Sequence, residues 1–146
     1  MFLYVTCDRI GTQTGGGAVT AHELAALRSL GHVDIINPEP NQNPFIPDQF
    51  LPDADYSKYK LAHFYSGTFP KLTAKLKSQG VKITYTAAAH DVKLSREEFE
   101  KNNVPFDFPH ITNPEIFNMY LSSYRNADLV ICPSNQSKNI MHEFGC

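Results

Sequence analysis

Residues 12–32 read TQTGGGAVTAHELAALRSLGH, and this stretch decides the fold class. Three glycines, Gly15 to Gly17, stand between the first apolar run of the chain and its first amphipathic pattern. That pattern predicts a helix over Ala18 to Leu30, which Gly31 is placed to end. The predicted helix carries one apolar stripe, made of Leu24, Leu27 and Leu30. An apolar run, a glycine-rich turn and a helix in this order indicate the first unit of an α/β fold.

Four further short runs match the first one, because they are almost continuously apolar instead of alternating. Strands with this pattern are buried on both faces and belong to parallel sheets. Alternation of such strands with helices predicts one domain over residues 1–146: a Rossmann-like, doubly wound parallel sheet in three α/β/α layers. The predicted strands are Phe2 to Thr6, Val33 to Ile36, Leu61 to Tyr65, Val81 to Thr86 and Leu129 to Cys132.

The remaining helices are predicted from their start and stop signals. Asn113 followed by Pro114 combines a capping side chain with proline at the first helical position. The helix that follows is expected to turn Phe117, Tyr120, Leu121 and Tyr124 towards the core. The other predicted helices are Phe69 to Ser78, Ser95 to about Asn102, and a last helix capped by Ser134 and closed by Gly145. A proline-rich excursion, Asn37 to Tyr59, replaces one crossover helix.

Composition excludes several classes of protein. The chain has 146 residues, a net charge of −2 and three cysteines. No broad basic field is available for nucleic acid, so nucleic acid is not expected as a partner. Cys7 and Cys132 end apolar runs, where a thiol packs as a small hydrophobe, so both are expected to be buried and reduced. With no run of 18 apolar residues, we expect a cytoplasmic protein.

The triple glycine suits a phosphate cradle. Without Cβ atoms the backbone N–H groups can approach an anion closely, and a helix N-terminus favours negative charge. The alternative is a flexible turn that lets the first helix pack tightly on the sheet. The stretch is neither a P-loop nor a GxGxxG motif, and Asn37 stands where a nicotinamide dinucleotide site needs an acidic residue.

A second candidate site follows the fourth predicted strand, in TYTAAAHDVKLS. Three alanines leave room there, and His90 can bond a sugar hydroxyl or act as an acid or base near neutral pH. The alternative is a histidine that caps a helix or bonds a loop carbonyl. A metal site from His63, His90, His110 and Asp91 lacks ligand-type spacing, so no metal is expected.

These motifs, in this order, resemble a known family. The glycine-rich loop, AHELAALRSLGHVDII at residues 21–36, the His-Asp pair and RNADLVICPSNQSKNIMHEFG at residues 125–145 are similar to the N-terminal domain of glycosyltransferase family 4, which has the GT-B fold. The resemblance spans essentially the whole chain. It implies an acceptor-side domain whose partner, a C-terminal donor-binding domain, lies outside these residues.

The resemblance also implies roles for individual residues. Gly16 and Gly17 would approach the diphosphate of a nucleotide-sugar donor, and His90 would lie beside the transferred sugar. Candidates for contact with a sugar or lipid-linked acceptor are Thr14, Asp91 and Lys93. Transfer would retain the anomeric configuration and need no metal or other cofactor. Without the second domain, we expect the 146 residues to be inactive.

Two other functions stay open from the sequence. A non-enzymatic module would use the same glycines to hold a phosphorylated or nucleotide ligand and the proline-rich excursion to contact a protein. A dinucleotide-dependent oxidoreductase is disfavoured by the missing acidic residue. Three apolar residues of the excursion are candidates for peripheral membrane contact: Phe45, Ile46 and Phe50.

Overall fold

The computed structural model describes residues 1–8, 10–11, 15–37, 54–65, 68–87, 98–104 and 113–146. Within these ranges, five strands form one sheet in the order β2-β1-β3-β4-β5, and every pair of neighbours is parallel. The predicted α/β, Rossmann-like sheet is therefore confirmed. The strands are β1 (Phe2–Thr6), β2 (Val33–Ile36), β3 (Leu61–Tyr65), β4 (Lys82–Thr86) and β5 (Leu129–Ile131).

In the described part of the chain, four helices flank the sheet: α1 (Gly15–Leu30), α2 (Pro70–Ser78), α3 (Pro114–Asn126) and α4 (Asn135–Glu143). Residues 98–101 are also helical, within the helix predicted from Ser95. Leu24 of α1 packs with Tyr4 and Tyr65 on one face of the sheet. On the other face Val5 and Phe64 belong to a larger core that includes residues of α2, α3 and α4. Helices therefore cover both faces, as in a three-layer fold.

The larger core is built around stacked aromatic rings. Phe64 and Tyr85 stack with ring centroids 5.1 Å apart. The ring of Tyr124 meets Tyr85 edge-on at 4.9 Å. Aromatic pairs in these offset and edge-to-face arrangements add to the stabilisation from buried area. Tyr56 and Tyr59, at the end of the proline-rich excursion, are buried in the same core.

Two predicted helix caps are confirmed. The Asn113 side chain accepts a hydrogen bond from the amide of Glu115 at 2.9 Å, and Pro114 opens α3. The Ser134 hydroxyl accepts one from the amide of Ser137 at 3.1 Å. Gly145 follows α4 with φ 74°, a left-handed conformation that favours glycine. Local capping chemistry was thus sufficient to place both helices.

The predicted start of α1 was wrong by three residues. The helix begins at Gly15, so the glycines form its first turn, and none of them has a positive φ. Before the helix, Gly11 has a left-handed backbone, at φ 76°. First-turn amides need no partner within the helix, which lowers the cost of glycine there. Two hydrogen bonds to the carbonyl of Gly17 also hold this turn, one from the Thr20 hydroxyl at 2.8 Å and one from the Gly11 amide at 3.4 Å.

Burial at the edges of the fold also differs from the prediction. Leu30 is 73% exposed, so the apolar stripe of α1 is buried fully only at Leu24. In β5, Leu129 and Ile131 are exposed, because this strand is an edge of the described sheet. Cys7 and Cys132 are half-buried instead of buried. Edge strands and chain turns have fewer neighbours to cover them, which periodicity alone does not reveal.

Candidate functional site

The strand order places a topological switch point between β1 and β3. In open parallel sheets, ligands bind outside the carboxyl ends of the strands where the direction of winding reverses. Here β1 has β2 on one side and β3 on the other. The carboxyl ends of β1 and β3, at Thr6 and Tyr65, are therefore the first place to look for a site.

Three elements meet at this edge around Gly16. A Cβ atom on Gly16 would lie 2.7 Å from the Asp8 Oδ2 and 3.6 Å from the Tyr65 hydroxyl oxygen. The first of these distances is shorter than real Cβ contacts. Glycine therefore lets the first turn of α1 approach the end of β1 closely. We refer to Asp8, Gly16 and Tyr65 as the switch-point cluster.

The backbone of Asp8 is held on both sides. Its amide donates to the Thr6 hydroxyl at 3.0 Å, and its carbonyl accepts from the Asn37 side-chain amide at 3.1 Å. Asn37 follows β2 directly, so the ends of β1 and β2 are tied together. With the backbone held in this way, the carboxylate of Asp8 lies beside the first turn of α1, where a helix favours negative charge.

Tyrosine hydroxyls around Asp8 stay protonated at neutral pH. Burial raises the pKa of Tyr65, and the charges of Asp8 and Glu23 raise it further. Burial likewise raises the pKa of Tyr120, with Cys7 and Asp8 as the next contributors. This edge of the sheet therefore combines a carboxylate acceptor with hydroxyl donors, a set that can bond ligand hydroxyls.

Beneath this edge lies a second polar group, which we call the Glu23 cluster: Tyr4, Glu23, His63, Thr84 and Thr86. The Glu23 carboxylate accepts hydrogen bonds from the Tyr4 hydroxyl at 2.9 Å and from the Thr86 hydroxyl at 2.7 Å. The Nε2 atom of His63 lies 3.2 Å from Glu23 Oε2. A single carboxylate on α1 is thus bonded to β1, β3 and β4.

His63 is the buried centre of this cluster. Its Nδ1 atom lies 2.7 Å from the Thr84 hydroxyl, and its ring stacks on Tyr4 with centroids 5.6 Å apart. The tautomer with its proton on Nε2 satisfies both contacts, since Nε2 then donates to Glu23 and Nδ1 accepts from Thr84. Every polar atom of the ring has a partner, which removes the penalty of burying it.

Burial alone would raise the pKa of the Glu23 carboxyl. Hydrogen bonds from His63, Thr86 and Tyr4 more than offset that effect, so the pKa lies below its ordinary value. The same carboxylate contributes to raising the pKa of Tyr4, after burial as the main cause. At neutral pH the Glu23 carboxylate is therefore ionised, with hydrogen-bond donors around it.

Sequence reasoning missed this cluster. Its signal was present as polar residues two positions apart, Thr84 and Thr86, inside a run interpreted as continuously apolar. In a strand this spacing places both side chains on one face. Glu23 could have been found as an acidic residue next to Leu24 of the apolar stripe of α1.

Only some of the predicted site residues fall within the described ranges. Gly16 is half-buried and Gly17 buried, both in the first turn of α1. Thr14, His90, Asp91 and Lys93 lie outside the described residues. Ala87, the first of the three alanines, is buried, and its amide donates to the carbonyl of Ile131 at 3.0 Å.

A cavity of about 670 Å³ lies away from the switch point, between β5 and the ends of α3 and α4. Burial raises the pKa of two cysteines in its lining, Cys132 and Cys146, although Lys138 and Arg125 respectively oppose that shift. Thiols with raised pKa values are weak nucleophiles at neutral pH. Neither Gly16 nor Gly17, the predicted site residues that the structure describes, lines this cavity.

No family model, curated protein or solved structure matches the chain. Among the helices of the described residues, none is long and apolar enough to cross a membrane. In the same part of the chain, no three His, Cys, Asp or Glu side chains are grouped so as to hold a metal ion.

Proposed function

We propose that this chain is the N-terminal, acceptor-side domain of a glycosyltransferase of the hexosyltransferase class. The enzyme would transfer a sugar from a nucleotide-sugar donor to a sugar or lipid-linked acceptor, with retention at the anomeric carbon. A C-terminal domain would hold the donor. The proposal places the enzyme in the cytoplasm, at the membrane surface where the acceptor is lipid-linked.

The observation that carries this proposal is the position of Gly16. Its turn lies against the ends of β1 and β3, where open α/β sheets bind ligands. The N-terminus of a helix carries a partial positive charge and favours a bound anion. Gly16 and Gly17 would therefore stabilise the negative charge that develops on the departing diphosphate.

The carboxylate of Asp8 affects how a diphosphate could bind at this turn. Because it already places a negative charge beside Gly16, a diphosphate would have to be held with a further positive group, which the donor-binding domain would provide. The carboxylate of Asp8 could accept a hydrogen bond from a sugar hydroxyl, and the neighbouring tyrosine hydroxyls could donate to the oxygens of the sugar. Thr14, Asp91 and Lys93 remain the proposed acceptor contacts, and His90 the proposed contact to the transferred sugar.

The test is a ligand survey on the protein expressed from its complete reading frame. Thermal shift would be measured with UDP, GDP, UDP-glucose, GDP-mannose and NAD, together with donor hydrolysis. We expect stabilisation by one sugar nucleotide. We also expect turnover to fall by about 10²–10³-fold in His90→Ala, the cost of losing one positioned donor in a transition state. His142→Ala, at an exposed histidine of α4, is the matched control.

The alternative function is a Rossmann-like module that binds a phosphorylated or nucleotide ligand without turnover. It would be favoured if the 146 residues alone are stabilised by a nucleotide while the complete protein hydrolyses no donor. A response to NAD alone would favour an oxidoreductase. Robust sugar transfer by the isolated 146 residues would contradict the proposed division of the site between two domains.

A further inference from the structure

The Glu23 cluster connects the two segments that carry the proposed site. Glu23 lies in α1, whose first turn holds Gly16 and Gly17. Thr86 is the last residue of β4 and stands four residues before His90 in the sequence. The hydrogen bond from Thr86 to Glu23 therefore joins the helix of the glycines to the strand that leads to His90.

We infer that Glu23 and Thr86 are positioning residues, which set where the first turn of α1 sits relative to the end of β4. The inference rests on the proposed function only for what binds at these two segments. The positioning itself is a property of the chain, which can be measured without any ligand.

Polar contacts are better able than the apolar contacts of α1 to position its first turn relative to the end of β4. Only Leu24 among its leucines is fully buried, and apolar packing is non-directional. The Glu23 carboxylate has contacts at both oxygens, from β1, β3 and β4 together. Hydrogen bonds to a charged group are stronger than neutral ones and fix a direction. They hold α1 against sliding along the sheet.

His63 and Tyr4 complete the positioning. The Nδ1 contact to Thr84 and the stacked Tyr4 ring fix the imidazole, so Nε2 is presented to Glu23 in one orientation. The side chain of His63 is only 8% exposed, so water does not compete effectively for its Nε2 atom. The cluster thus acts as one connected unit instead of as separate pairs.

The test compares Thr86→Val with the wild-type chain by NMR. Valine keeps the shape of threonine but removes the hydroxyl that donates to Glu23. We expect the amide shifts of Gly15 to Gly17 to change. We also expect exchange of the amides at 19–21, which bond to the first turn in an α-helix, to speed up about tenfold or more. Amides of α2 should exchange at the wild-type rate.

Two further variants make the result specific. Thr86→Ser restores the hydroxyl and should return both signals to their wild-type values. Thr73→Val removes a buried hydroxyl of α2 that donates to the carbonyl of Phe69 at 2.8 Å, on the other side of the sheet. It should leave Gly15 to Gly17 unchanged.

Two outcomes would overturn the inference. One is an unchanged set of shifts at Gly15 to Gly17 in Thr86→Val. The other is faster exchange of equal size in every helix, which would mean that Thr86 contributes only to global stability. Neither outcome depends on a sugar nucleotide. A protein that binds none of them would refute the proposed function and leave the positioning of α1 standing.

Discussion

Gly15 and Gly16 are adjacent in α1 but lie in different surroundings. A Cβ on Gly15 would have no atom within 4 Å, whereas one on Gly16 would lie 2.7 Å from the Asp8 carboxylate. Neither glycine has a positive φ, so alanine fits the backbone at both positions. The two substitutions therefore separate the effect of helix propensity from the effect of close approach.

We expect Gly15→Ala to stabilise the chain by about 0.4–1 kcal/mol, because alanine restricts the unfolded chain without strain. Gly16→Ala should be less stable than Gly15→Ala, since Asp8 must move away from its place beside the helix. Urea unfolding of both variants measures this difference. Equal free energies of unfolding would show that Asp8 moves at no cost and that Gly16 is not required for close approach.

At the scale of elements, α3 tests how far a local signal determines a helix. Asn113 caps its first turn by accepting from the amides of Glu115 and Ile116, at 2.9 and 3.4 Å. Asn113→Ala leaves these amides without that acceptor, and should destabilise the chain by about 1 kcal/mol. Urea unfolding is the measurement, and Asn113→Ser, which keeps a capping oxygen, is the control. An alanine variant as stable as the serine variant would contradict the capping role.

Elements whose signals are local in the sequence could be predicted. The strands were predicted to within a residue, because Leu61 to Tyr65 and its counterparts are short apolar runs between clear breaks. Caps such as Asn113 depend on neighbours in sequence, so they were predicted correctly. The start of α1 was predicted three residues too late, because helix propensity disfavours glycine.

The candidate site was predicted only in part for a similar reason. Gly16 was found because a glycine after a strand is a local signal. The Glu23 cluster joins residues 4, 23, 63 and 86, which meet only when β1, β3 and β4 are adjacent. The hydrophobic periodicity of a single segment does not specify which strands are adjacent in the sheet. Partners that depend on strand order are found only once the sheet has been assembled.

At the scale of the whole molecule, carboxylates join elements that are far apart in sequence. Glu23 joins α1 to three strands, and Asp128 accepts from the amide of Ile83 at 2.8 Å. Asp34 of β2 accepts from the Tyr59 hydroxyl at 2.7 Å, just before β3. These bonds form only in the folded chain, so the stability of the sheet depends on these groups being ionised.

The fold should therefore lose stability in acid. The pKa of Asp34 is lowered to about 2 by hydrogen bonds, first from Tyr59 and then from Lys58 and His32. The pKa values of Glu23 and Asp128 are also lowered, despite an opposing effect of burial that is the largest single effect at Glu23. A carboxylate with a lower pKa in the folded state stabilises the fold above its unfolded pKa, about 3.9 for Asp and 4.3 for Glu. That contribution disappears as the pH falls through the folded pKa.

We expect the free energy of unfolding, measured in urea, to be constant above about pH 5 and to fall steadily towards pH 2. Tyr59→Phe keeps the buried ring but removes the leading hydrogen bond to Asp34, so the pKa of Asp34 rises towards its unfolded value. Asp34 should then contribute less to the loss of stability in acid. The acid limb, which is the fall in the free energy of unfolding at low pH, should become shallower below about pH 4. An acid limb with the same slope in Tyr59→Phe and wild type would mean that the hydroxyl does not favour the charged form of Asp34. The contribution of Tyr59 to the link between β2 and the segment before β3 would then come from packing of its ring alone.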